Sequence, residues 1–173
     1  NINKESSYKF TIDEKPEAYK KYGREYQLFL PLYNEVEVLE IGVSSNSFVK
    51  PMPIRNEKPI VAYGTSICQG ACASRPGMAW TSILERKLER PFINLGFSGN
   101  GRLEPEIIDL LTEIDAKLYI LDCLPNLSPQ RDDTHQLVVN AVKKIREKRP
   151  QTPIILTEHI GYANEFTNTV SQV

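Results

Sequence analysis

Ser66, Gly99 and Asn126 stand in three short runs, each just past an apolar stretch. The runs are Tyr63-Gly64-Thr65-Ser66-Ile67-Cys68-Gln69-Gly70, Asn94-Leu95-Gly96-Phe97-Ser98-Gly99-Asn100-Gly101 and Leu121-Asp122-Cys123-Leu124-Pro125-Asn126. A nucleophilic hydroxyl, a glycine amide free to donate and an asparagine carboxamide are the parts that acyl transfer needs. Each residue also has a plainer reading. Ser66 fits a strand-to-helix turn in which serine caps the helix. The glycines fit a tight turn, and Asn126 fits an Asx turn opening toward Ser128.

The elements around the runs place them together. Pro59 to Gly64, Phe92 to Gly96, Lys117 to Leu124 and Pro153 to Thr157 read as buried strands, each followed by a helical stretch. That alternation predicts an α/β fold built on a parallel sheet. Trp80 to Leu88 reads as one helix. A second carries Leu103, Ile107, Leu110, Leu111 and Ile114 on one stripe, with Pro105 in its first turn. A third has Leu137, Val138, Ala141, Val142 and Ile145 inward, starts at Ser128-Pro129 and ends in cations before Pro150. Those cations read as a solvated face. Right-handed crossovers put every strand C-terminus on one edge, where open α/β sheets bind ligands, and Ser66, Gly99 and Asn126 all fall there.

Residues 1–58 read differently. Tyr26 to Tyr33 and Val36 to Val43 are β-rich runs separated by Asn34-Glu35, as in an antiparallel hairpin, with Lys9 to Ile12 as a further strand candidate. Ser44 to Pro59, with Pro51, Pro53 and Pro59, reads as an extended linker. The expected division is a β-rich segment and linker over 1–58, the remnant of an accessory β domain, and the α/β unit over 59–173.

Composition excludes several classes of function. Net charge is −1 over 173 residues, and no basic stretch is interleaved with aromatics, so nucleic acid is not an expected partner. No apolar run approaches the roughly 20 residues that cross a bilayer, so no membrane span is expected, and the residues given do not read as a signal peptide. Asn1 at the start allows either a processed mature protein, secreted or periplasmic, or an excised piece, and leaves the compartment open. Cys68, Cys72 and Cys123 have no paired spacing, so neither a metal site nor a disulfide scaffold is indicated and buried free thiols are expected. Gly96, Gly99 and Gly101 have the wrong spacing for a dinucleotide fingerprint, and no Walker lysine follows. No cofactor is expected, and oligomeric state is not written in the sequence.

Taken together the three runs resemble the first three sequence blocks of the SGNH, or GDSL-type, hydrolases, over residues 59 to about 160. The resemblance implies a flavodoxin-like three-layer αβα fold with strand order 2-1-3-4, Ser66 as nucleophile, and an oxyanion hole made by its own N–H, the N–H of Gly99 and the side chain of Asn126. Gly64-Thr65-Ser66, with Cys-Leu-Pro-Asn ending at Asn126, is most similar to the branch carrying an N-terminal β-sandwich accessory domain. Thr65 replaces the aspartate of the family's Gly-Asp-Ser and leaves the nucleophile intact. Gly96-Phe97-Ser98-Gly99-Asn100 also resembles a hydrolase nucleophile elbow, but Asn100 stands where the second glycine belongs, which makes Ser98 the weaker candidate.

The family's last block, Asp-x-x-His-Pro, has no full match. Asp132-Asp133-Thr134-His135 has the spacing but is followed by Gln136 at a helix start, where a capping or exposed role is the plainer reading. His159, beside Glu158, ends the fourth strand on the site edge. The chain stops within a further helical pattern, so a truncation ahead of a fifth strand is expected, with little turnover from this piece. The resemblance implies hydrolysis of a small or carbohydrate ester through an acyl-enzyme. The alternative is an inactive carbohydrate-binding or interaction module that keeps the pocket.

Overall fold

The computed structural model describes residues 23–127 and 132–159. Four parallel strands form one sheet: β1 (Ile60–Gly64), β2 (Phe92–Gly96), β3 (Leu118–Asp122) and β4 (Ile154–Leu156), in the order β2-β1-β3-β4. The expected class and order are both found. β1 is central and every residue of it is buried, as expected for a parallel strand covered on both faces.

Alternation along the strands divides the core in two. Val61 and Tyr63, with Tyr119 and Leu121, face Ile108, Leu111, Ala141 and Ile145. Ile60, Ala62 and Ile120, with Phe92 beside them in the sheet, face Cys68 and Trp80. The first face is covered by α3 (Pro105–Glu113) and α4 (Thr134–Lys148), the second by α1 (Ser66–Gln69) and α2 (Trp80–Leu88). α1 was not foreseen, because a single helical turn has no periodicity to detect.

Three expectations need correction. The stripe of α3 is Ile108, Leu111 and Thr112, with Ile107 and Ile114 partly buried, whereas Leu110 is 57% exposed. Leu103 belongs to the preceding loop, at φ +61, and is buried there on its own account. Counting it into the helix shifts the phase of the stripe. In the expected third helix, regular structure begins at Thr134, with Asp133 as its cap, and Ser128-Pro129 lies outside the described residues. Its terminal cations are more than a solvated face: Lys144 meets Asp109 at 2.6 Å, and Arg149 donates to the Thr112 and Glu113 carbonyls at 3.0 and 3.2 Å, covering the open end of α3.

The third correction concerns the hairpin. No strand forms at Tyr26–Tyr33 or Val36–Val43, and Tyr26, Leu28, Val38, Leu39 and Ile41 are exposed. Two strands whose apolar side chains are left largely exposed among the described residues gain too little to offset the ordering of their backbone. The strand candidate at Lys9–Ile12 and the helical pattern after His159 lie outside the described residues. Part of the N-terminal segment docks all the same. Phe29 lies against Gly77 and beneath the Arg86 guanidinium, 5.3 Å from the ring centre, and Leu32 packs on Gly70.

Candidate active site

The register of the sheet levels the three candidate loops. Gly64 is opposite Gly96 on one side and Asp122 on the other, so Ser66, Gly99 and Asn126 leave adjacent strand ends on the same edge. Gly64 itself must lack a side chain, since a Cβ would lie 2.4 Å from the Asp122 carbonyl oxygen.

Ser66 is the first residue of α1 and is half-buried. Thr65, fully buried, caps that turn: its Oγ1 accepts from the Ile67 N–H at 3.3 Å, while its own N–H donates to Asp122 O at 3.3 Å. The Ser66 carbonyl accepts from the Tyr33 hydroxyl at 3.1 Å, so the N-terminal segment touches the main chain of the candidate nucleophile.

The second loop is laid against the first. Phe97 N–H donates to Gly64 O at 2.9 Å, and Asn100 N–H closes a turn on Phe97 O at 3.0 Å. Gly99 and Gly101 take φ of +74° and +72°, in the region that favours glycine. A Cβ on Gly99 would meet open space, whereas one on Gly101 would come within 2.1 Å of Gly64 O. Gly99 is exposed with its backbone accessible, as a donor to a bound oxygen must be.

Asn126 ends a 3₁₀ turn over Leu124–Asn126 and is half-buried. Its Nδ2 donates to Asn100 O at 2.6 Å, so its amide turns toward the second loop. The remaining N–H of the same amide is a second donor at that edge. Ser98, the weaker candidate, is exposed, and its backbone N–H is held by Gln69 Oε1 at 3.0 Å.

Three supporting residues escaped sequence reasoning. Asn94 Nδ2 donates to Cys68 O at 3.0 Å and Thr81 Oγ1 at 2.9 Å, and its Oδ1 accepts from Gly96 N–H at 2.9 Å, tying α1 and α2 to β2. Tyr63 donates its hydroxyl to Glu104, which also accepts from Arg102 N–H at 2.8 Å. Burial, and then the bond to Glu104, push the Tyr63 phenol well above its ordinary value. At Glu104 burial acts upward, but the hydrogen bonds from Tyr63 and the backbone, with the nearby Arg102 charge, outweigh it and lower the carboxyl below 4.5. A polar residue inside an apolar strand, as Asn94 is, was the available signal.

The two histidines are far apart in kind. His135 lies in the first turn of α4, exposed. His159 is half-buried just past β4, two residues after Thr157, whose Oγ1 donates to Asp122 Oδ1 at 2.7 Å. Glu158 is exposed. All three cysteines are free; Cys68 and Cys123 are buried, whereas Cys72 is exposed, contrary to expectation. Burial, and then the Asp122 charge, raise the Cys68 thiol to about 12, and burial raises Cys123 as well, so neither is a ready thiolate nucleophile. Among the described residues no group of three side chains could hold a metal ion, and no helix is long and apolar enough to cross a membrane.

The sequence model of the GDSL-like lipase/acylhydrolase family matches residues 57–173. The chain belongs to that family. Residues 1–49 match the model described as the N-terminus of SGNH-hydrolase-type esterases, so the family's signature extends over both parts of the sequence. Among solved structures, a protein of Bacteroides ovatus ATCC 8483 described as a GDSL-like lipase is 45% identical, with a TM-score of 0.75 over 83% of this chain and 42% of that one. The salicylyl-acyltransferase SsfX3, from a tetracycline biosynthetic pathway, is 27% identical, with a TM-score of 0.54 over 59% of this chain and 32% of its own. The SGNH-hydrolase family esterase AlinE4, at 21% identity and a TM-score of 0.52 over 65% of each chain, shares the fold. This family member thus spans less than half the length of the Bacteroides protein. A comparison with curated proteins found no match.

Proposed function

We propose that the chain supplies the nucleophile and the oxyanion-binding loops of a serine ester hydrolase. The observation that carries the reading is the stitching of three loops at one sheet edge. Gly101 is pressed onto Gly64 O, and Asn126 Nδ2 is bonded to Asn100 O at 2.6 Å. Loops fixed in this way hold their donors before any substrate arrives, which is what lets a donor lower a barrier without reorganising.

Ser66 Oγ attacks the ester carbonyl, and a histidine takes its proton. The carbonyl oxygen, now negative, accepts from the Ser66 and Gly99 N–H groups and from the Asn126 amide. The tetrahedral intermediate collapses with loss of the alcohol, which leaves with the histidine's proton, and water then releases the acid from Ser66. Of the two histidines within the sequence, His159 stands on the site edge beyond β4, and His135 is exposed on a helix. The substrate class we propose is small acyl esters, such as acetyl groups on carbohydrates, which the family resemblance suggests.

Hydrolysis of p-nitrophenyl acetate by the full-length protein tests the reading. Ser66→Ala should lower kcat by several orders of magnitude, on the scale of ~10⁴ or more. Turnover within tenfold of wild type would remove Ser66 from the chemistry.

A further inference from the structure

We infer that Gln69 is a positioning residue that sets the Ser98–Gly99 stretch against the nucleophile turn and ties that setting to the N-terminal segment. The inference rests on the hydrolase reading above. Gln69 closes α1, three residues after Ser66, and is half-buried. Its Oε1 accepts from Ser98 N–H at 3.0 Å and its Nε2 donates to Leu32 O at 2.6 Å.

The residue type fits this place closely. A backbone N–H can only donate and a backbone carbonyl can only accept, so a side chain facing both needs an acceptor and a donor on one planar group. A primary amide has them; a carboxylate would face Leu32 O with a second negative oxygen, and an ammonium would face Ser98 N–H with a third donor. The amide orientation is fixed by the same reasoning, since exchanging its oxygen and nitrogen would oppose both partners.

The main chain at 69 is held as closely as the side chain. A Cβ at Gly96 would come within 2.1 Å of Gln69 N, so the second loop leaves its strand directly over the end of α1. After that crossing Phe97 N–H is held by Gly64 O at 2.9 Å and Ser98 N–H by Gln69, so the Gln69 contact is the anchor one residue before Gly99. On the other side, Leu32 packs on Gly70, and Tyr33 donates to Ser66 O at 3.1 Å, so the docked segment touches the nucleophile turn at both ends. Gln69 therefore sits where segment, nucleophile and glycine loop meet, and undocking the segment removes half of its bonding.

The test compares Gln69→Met, which keeps the length and removes both bonds, with Gln69→Glu, which keeps an acceptor for Ser98 and loses the donor to Leu32. Amide hydrogen exchange of the full-length protein reads the first bond: Ser98 exchange should rise about tenfold in Gln69→Met and stay within about threefold in Gln69→Glu. Proteolysis within residues 25–50 reads the second, and should accelerate in both variants. With p-nitrophenyl acetate, Gln69→Met should lower kcat about tenfold with KM within about twofold, because the loss falls on donors that act in the transition state. Ser98 exchange unchanged in Gln69→Met, or changed equally in both variants, would overturn the inference. If the wild type has no Ser66-dependent turnover, the hydrolase reading falls and exchange alone decides the Gln69 contact. If the wild type turns over and Gln69→Met keeps its kcat, the positioning role falls and the hydrolase reading stands.

Discussion

Gly101 lies so close to Gly64 that a Cβ upon it would come within 2.1 Å of the Gly64 carbonyl oxygen. The same oxygen accepts from Phe97 N–H at 2.9 Å, so the second loop is pinned twice to the end of β1. Gly99, two residues earlier, has a similar φ but open space around it. Gly101→Ala meets both a clash and an unfavourable backbone angle and should cost about 2 kcal/mol or more, against about 1 kcal/mol for Gly99→Ala, which meets the angle alone. Urea unfolding of the two variants checks the order; equal losses would mean that the loop yields freely at 101.

Asn126 joins the third loop to the second through Asn100 O at 2.6 Å. Asn126→Ala should cost about 1 kcal/mol of stability and, in the hydrolase reading, about 10²-fold in kcat. The comparison of the two numbers is the test. A kcat loss no larger than about fivefold, with stability reduced as expected, would make Asn126 only a loop tie.

Glu104 is held below its ordinary value of 4.5, so it contributes stability that is fully present above that pH and is lost as pH falls through its lower folded value. Wild-type stability should therefore decline more steeply than that of Glu104→Gln as pH falls below the ordinary carboxyl value of 4.5. Parallel curves from denaturant titrations across that range would show that the Tyr63–Glu104 pair carries no ionic component.

Much of this arrangement was legible before any coordinates. β1 to β4 and α2 announce themselves by continuous apolar runs and helical periodicity, and the glycine- and asparagine-bearing runs follow strands in fixed order. What failed did so for local reasons. Leu103 is apolar and buried but not helical, so it misled the phase of α3. Tyr26 to Val43 has β-rich composition, yet only Phe29, Leu32 and Tyr33 dock while Leu28, Val38, Leu39 and Ile41 stay exposed, and composition cannot supply a strand partner. Gln69, Asn94 and Glu104 act by hydrogen bonds between segments distant in sequence, which no spacing rule encodes.

The nucleophile is tested most directly by treating the full-length protein with an alkyl fluorophosphonate and locating the adduct by peptide mass spectrometry. The reagent phosphonylates an activated serine hydroxyl and places its phosphoryl oxygen where the oxyanion would lie. The expected adduct is on the peptide containing Ser66, at that residue, and absent in Ser66→Ala. An adduct on Ser98 or another residue, or ester turnover that survives Ser66→Ala, would contradict the assignment.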